Sequence, residues 1–206
     1  MSGRSAGRAT SYLRIWGTNL RWAALCQTAW EIVFTGRVPV EYSTPPIVEE
    51  VRSVHDKMVE IVKEWFMNQG NALYVGEDAI EYSVKLGEGG GYVTIVSRPD
   101  LYVLWDAHGR PINLVVEVTA RGSAYVPEEW LAAEMLGLYV RNLRPTFALL
   151  VRFEAAEARA WVGVLPLSTA LLERLKRLML SGTKRRPTMN LCYNCDLRAV
   201  CPSPLV

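Results

Sequence analysis

The placement of four cysteines constrains this chain more than any other feature. Cys26 stands alone near the N-terminus, while Cys192, Cys195 and Cys201 read C-x2-C-x5-C-P close to the other end. Four thiolates are the ligand set of an iron–sulfur cluster or of a structural zinc. A local zinc knuckle draws its ligands from one short segment. Here one ligand lies 166 positions upstream of the next, so a metal bound by all four would clasp the two ends of a domain together. A Cys192–Cys195 or Cys26–Cys201 disulfide is the competing reading, admissible inside a cell if the source is a thermophile. Composition leans that way, since Arg outnumbers Lys 18 to 5 and Gln occurs only at Gln27 and Gln69.

A length of 206 residues, half of them hydrophobic, suits one domain spanning 1–206 with a substantial core. No apolar stretch approaches the ~18 residues of a membrane span, which predicts a cytoplasmic protein without a membrane partner. The first thirty residues carry Arg and Ser but no acid, as transit peptides do. Cys26 would be lost with such a segment, so the stretch reads as mature protein. The net charge of +2 divides unevenly, with +4 over residues 1–40, +5 over 170–206 and −7 between them. Joined by the cysteines, the two ends would form one basic surface beside an acidic centre. That combination suits a protein that holds nucleic-acid phosphates near a metal.

Periodicity predicts helices over 12–34, 47–68, 128–142 and 168–180, with strands at 72–75, 80–86, 92–96, 101–105, 112–118, 146–153 and 158–164. Gly87–Gly91, reading GEGGG, lacks the Lys-Ser/Thr of a phosphate loop and reads as a hairpin turn. The order is α/β with a mixed central sheet flanked by helices. Trp16, Trp22 and Trp30 read as core rather than as platforms for stacked bases.

The chemistry concentrates around the turn cluster Asp106–Pro111. A hairpin folded about Gly109 sets position 100 opposite about 118 and so brings Asp100 beside Glu117. Two carboxylates at the edges of buried strands repel unless a positive charge lies between them, and a hard divalent cation such as Mg²⁺ or Mn²⁺ meets that need. His55 shares a helix face with Val48, Val51, Met58, Val59 and Val62 and is a third candidate ligand. His108, in the turn, receives no role.

Taken in order, the His55 helix, Arg98-Pro99-Asp100, Glu117-Val118-Thr119 and Tyr139 resemble the RecB-like branch of the PD-(D/E)xK nucleases. With the four-cysteine pattern added, the chain resembles the CRISPR-associated RecB-like exonucleases, the fourth Cas family. The resemblance runs from Cys26 to Pro202. It implies a nuclease core over about 45–165 and a clasp built from 12–36 and 168–206. It implies Mn²⁺ or Mg²⁺ on His55, Asp100, Glu117 and the Val118 carbonyl, serving to activate water and offset phosphate charge. It also implies an Fe–S cluster on Cys26, Cys192, Cys195 and Cys201, a 4Fe–4S cluster by preference, with 2Fe–2S compatible with the same ligands. The implied activity is exonucleolytic cleavage of single-stranded DNA ends, processing spacer precursors beside the CRISPR adaptation integrase proteins.

The chain departs from the family pattern twice. Thr119 occupies the position of the catalytic lysine, and strand alternation puts Arg121 on the same side, so Arg121 or Lys85 is expected to stand in, with Tyr139 completing the catalytic set. Met135, next to Glu134, replaces a motif glutamine. A catalytically weak or inactive DNA-binding or integrase-docking module is therefore the alternative, and a zinc- or disulfide-stapled protein of another kind is the third.

Overall fold

The computed structural model describes residues 12–34, 47–85, 91–120, 128–154, 159–184, 186–193, 195, 197–202 and 204. The expected Gly-rich turn falls almost wholly on residues outside that set, as does Arg121.

The five strands nearest the predicted chemistry form one sheet. β2 (Ala72–Gly76), β5 (Leu101–Asp106), β6 (Pro111–Ala120), β7 (Thr146–Glu154) and β8 (Arg159–Pro166) lie in the order β2-β5-β6-β7-β8. Only β6 and β7 run parallel, and their crossover carries α4 (Glu128–Asn142). The β5–β6 hairpin closes on Ala107–Arg110, whose central residues His108 and Gly109 both have positive φ, 57° and 81°. That pairing matches the twist of the flanking strands, and Asp106 Oδ1 accepts from the Gly109 N–H at 2.6 Å. The register Leu101↔Val116 carries position 100 to the level of Glu117, one residue from the offset expected from sequence.

Three further strands form a separate sheet, so the expected single central sheet is in fact two. Its order is β1 (Tyr12–Trp16), β4 (Tyr92–Ser97), β3 (Ile80–Lys85). β3 and β4 pair antiparallel, and β1 lies parallel to β4. The predicted helix over 12–34 is corrected here. Its first five residues form β1, and the rest is two helices, α1 (Gly17–Leu25) and α2 (Gln27–Phe34), separated at Cys26, whose backbone is extended.

Alternation along β6 distributes the core. Leu114, Val116 and Val118 pack with Val59, Val62 and Phe66 of α3 (Ile47–Met67). Val115 faces the other way, toward Leu131, Ala132, Met135 and Leu138 of α4, which also touches Ile80 of β3. α4 therefore packs on both sheets. Its Gly137 permits this, because a Cβ there would stand 2.5 Å from Ile80 Cγ2 and 2.7 Å from Tyr82 Cδ1.

A third apolar cluster joins the two end regions. Leu20, Trp22, Cys26, Ala29 and Val33 pack with Leu175, Leu178 and Met179 of α5 (Thr169–Ser181) and with Leu197. The short helix α6 (Met189–Tyr193) and a 3₁₀ turn at Arg198–Val200 follow. Trp22 is core as expected, and Trp30 donates its indole N–H to the Leu178 carbonyl at 2.7 Å. Trp16 does not fit the core reading: it is 43 % exposed, with the Arg14 guanidinium 5.7 Å from its ring centre.

Candidate active site

Asp100 sits at the entry to β5, where Val118 of the neighbouring strand donates its backbone N–H to Oδ2 at 2.7 Å. α3 presents His55 from the opposite side. Its Nε2 lies 3.3 Å from the same Oδ2 and 3.2 Å from the Val118 carbonyl oxygen. A carbonyl can only accept, so Nε2 carries a proton aimed at both oxygens. The Asp100 hydrogen bond is the largest influence on His55 and raises its pKa above the ordinary imidazole value, against the pull of partial burial.

Glu117 follows the alternation of β6 onto the α4 face. It is buried, and its Oε1 has no hydrogen-bond partner. Desolvation first, then the charges of Glu134 and Asp100, push its pKa well above the carboxylate range, with the Asp100 backbone N–H opposing the shift. Glu134, on α4, is wholly buried beside Glu117 and the Trp130 indole, both of which act on its carboxyl. Burial is also the main reason that its pKa rises to about 8.

The sequence-predicted residues thus meet in part. His55, Asp100 and the Val118 carbonyl converge, and Glu117 adjoins them from the α4 side. Among the described residues, no three His, Cys, Asp or Glu side chains are gathered closely enough to hold a metal ion. The donor chemistry nevertheless fits a hard divalent cation: one imidazole, carboxylates and a carbonyl, with a buried Glu117 oxygen lacking any other partner. Thr119 lies partly buried two residues beyond Glu117. Lys85 pairs with Tyr92, at the end of its sheet remote from Ser97, roughly 17 Å along the strand from the Ile80 end. Tyr139 is 39 % exposed on α4. Glu134 is the residue that sequence reasoning passed over. An acid inside the apolar stripe Leu131, Ala132, Met135, Leu138 was the available signal.

The second cluster of interest is the cysteine set. Cys26, Cys192, Cys195 and Cys201 all line one cavity, with Ile32, Leu191 and Leu197 among its apolar walls. The cavity is narrow, about 20 Å³. No disulfide joins any of the four. Backbone bonds from Cys195 N–H to the Cys192 carbonyl and from Arg198 N–H to the Cys195 carbonyl curl the last segment around this point. An all-thiol donor set with apolar walls is the donor chemistry of an iron–sulfur cluster or zinc, although the four thiols are not gathered closely enough here to hold one.

No protein-family model matches the sequence, and neither does any curated protein. Among solved structures the chain is similar to SSO0001, with a TM-score of 0.55 at 14 % identity over 97 % of this chain and 91 % of that one. A looser similarity, TM-score 0.41 at 11 % identity over 98 % and 94 %, is to a protein from Eubacterium rectale described as a "Putative exonuclease". The likeness to SSO0001 shows a shared fold. Among the described residues, no helix is long and apolar enough to cross a membrane.

Proposed function

We propose that this chain is a divalent-metal-dependent DNA exonuclease of the RecB-like type, acting on single-stranded ends, with an Fe–S cluster clasping its two end regions. One observation carries the reading: His55, Asp100 and the Val118 carbonyl converge within 3.3 Å of the His55 Nε2, beside a buried Glu117 whose Oε1 is unpartnered. A bound Mn²⁺ or Mg²⁺ supplies Lewis acidity at a phosphodiester. The chain does the rest. The Val118 N–H fixes the Asp100 carboxylate, α3 delivers His55, and the short turn of the β5–β6 hairpin sets the level of Asp100 and Glu117. Loading requires His55 Nε2 to give up the proton it now directs at Asp100 and Val118.

Arg121 is assigned the positive charge that the resembling family takes from lysine, and Tyr139, exposed on α4, a contact with the DNA strand. Cys26, Cys192, Cys195 and Cys201 are assigned the cluster, 4Fe–4S or 2Fe–2S. The order of the nuclease motifs together with the cysteine pattern supports a place in spacer-precursor processing beside CRISPR adaptation integrase proteins.

The test is degradation of end-labelled single-stranded DNA with Mn²⁺ by the wild type, Asp100→Ala and Glu117→Ala. Cleavage by the wild type and its loss in both variants is expected. Thr119 at the lysine position favours a second reading, a DNA-binding or integrase-docking module. That module would bind DNA with a steep salt dependence and show no metal-dependent turnover even in the wild type.

A further inference from the structure

The three-stranded sheet buries one face and opens the other. Ile15, Tyr82, Val93 and Ile95 enter the apolar cluster shared with α1 and α5. Alternation sends Arg14 and Trp16 of β1, Thr94 of β4, and Glu81, Ser83 and Lys85 of β3 to the opposite side. Contacts across that side agree. Arg14 pairs with Glu81, its guanidinium lies 5.7 Å from the centre of the Trp16 ring, and Ser83 Oγ is 2.8 Å from Thr94 Oγ1. Arg14, Trp16, Glu81, Ser83 and Lys85 are all exposed.

An indole left in solvent on a polar sheet face forgoes a large burial gain. With a guanidinium beside it, the same indole combines a stacking surface with positive charge, the means by which proteins hold single strands. The charge of the face is complementary to a polyanion. Arg14 and Lys85 stand against Glu81, Arg98 is exposed just beyond β4, and the sequence leading into β1 adds Arg4 and Arg8 without an acid. The Arg14–Glu81 pair is solvent-exposed, and such pairs are worth little, so Arg14 can turn to a phosphate. The face also leads to the candidate active site. β1 and β4 run parallel, and Trp16 pairs with Val96 at the end of β4 nearer Asp100. Asp100 follows Val96 by four positions, a reach of at most about 14 Å.

We propose that this open face is a platform for single-stranded DNA. One base stacks on Trp16, Arg14 and Lys85 hold phosphates, and the strand is led toward Asp100. Lys85, remote from the Asp100 end of its sheet, thereby has a role in holding substrate rather than in cleavage. Stacking needs unpaired bases, so the face prefers single strands to duplex, and it tolerates any base because each has a π-face. That the bound strand is then cut rests on the nuclease reading. The binding does not.

Fluorescence anisotropy with a labelled oligothymidylate in EDTA measures binding with cleavage switched off. Trp16→Ala should weaken binding about tenfold, and Trp16→Phe much less. Lys85→Ala should reduce the salt slope by about 0.7. Affinity for a blunt duplex should not respond to Trp16→Ala. Photocrosslinking of the wild type to a bromodeoxyuridine-substituted strand, mapped by mass spectrometry, should label Trp16 and needs no variant to fold. Unchanged single-strand affinity in folded Trp16→Ala would overturn the proposal. So would a wild type that binds no single strand, or one whose crosslinks all fall outside β1, β3 and β4. If Trp16-dependent binding is found but the wild type cleaves nothing with Mn²⁺, the nuclease reading fails and the platform stands. Cleavage whose KM ignores Trp16→Ala would leave the nuclease reading intact and remove the platform.

Discussion

One oxygen of Asp100 serves two partners, accepting from the Val118 N–H at 2.7 Å and facing His55 Nε2 at 3.3 Å. His55 therefore titrates above 6.5, and its contribution to stability is present at low pH and lost as pH rises through its folded value. With only two histidines in the chain, imidazole NMR resolves the point. Asp100→Asn should move the His55 titration down. Glu134 gives a second pH dependence. From about 4.5 up to about 8 the folded chain keeps a proton there that the unfolded chain releases. The metal-free protein should therefore lose stability as pH rises across that window. Glu134→Gln should flatten the slope and, in EDTA at pH 8, melt above the wild type. A wild-type Tm no higher at pH 5 than at pH 8 would contradict this. At this scale the sequence exposed His55, Asp100 and Glu117 because residue type, spacing and a hairpin turn are local information. It did not expose Glu134's partner, because only the packing of α4 against β6 puts two acids face to face.

α4 is the element that packs on both sheets, and Gly137 sets its distance from β3. Gly137→Val would drive side-chain atoms into Ile80 and Tyr82, both buried. Overpacking of this kind costs about 1–3 kcal/mol, a fall of several degrees in Tm for a chain of this length. Thermal melting checks the effect. Elements made by short-range signals were legible. The β5–β6 hairpin announced itself through Asp106, Gly109 and Pro111, and α3 through its apolar stripe. β1 was not legible as a strand. Tyr12–Trp16 runs straight into α1, and its partner is the parallel strand β4, 80 positions away in register, a pairing that leaves no local mark. The split of α1 from α2 follows from Cys26, whose extended backbone turns its thiol toward the cavity shared with the C-terminal cysteines.

Across the whole molecule, the end regions are joined by apolar packing and hydrogen bonds. The apolar cluster from Leu20 to Met179 and Leu197 already joins them, and Trp30 ties α2 to the end of α5 through the Leu178 carbonyl. Gly182, with φ of 65°, lies against the Trp30 ring so closely that a Cβ would meet Trp30 Cδ2 at 2.6 Å. α5 also reaches α4 through the Arg174–Glu128 ion pair. A cluster on Cys26, Cys192, Cys195 and Cys201, as proposed, would therefore add to an existing contact. Its own grip would fall on the segment after α5, where Cys192 and Leu197 are the buried side chains among the described residues. Cys195→Ala should abolish bound iron and lower Tm, yet leave Trp30 seated on α5. Limited proteolysis with mass mapping separates the possibilities. Early cuts confined to 184–202, with intact 12–180, would mean that the cluster orders the tail over a domain that packs without it. Cuts spread through α1 and α2 as well would make the thiolates the principal tie between the ends, and the apolar cluster insufficient alone.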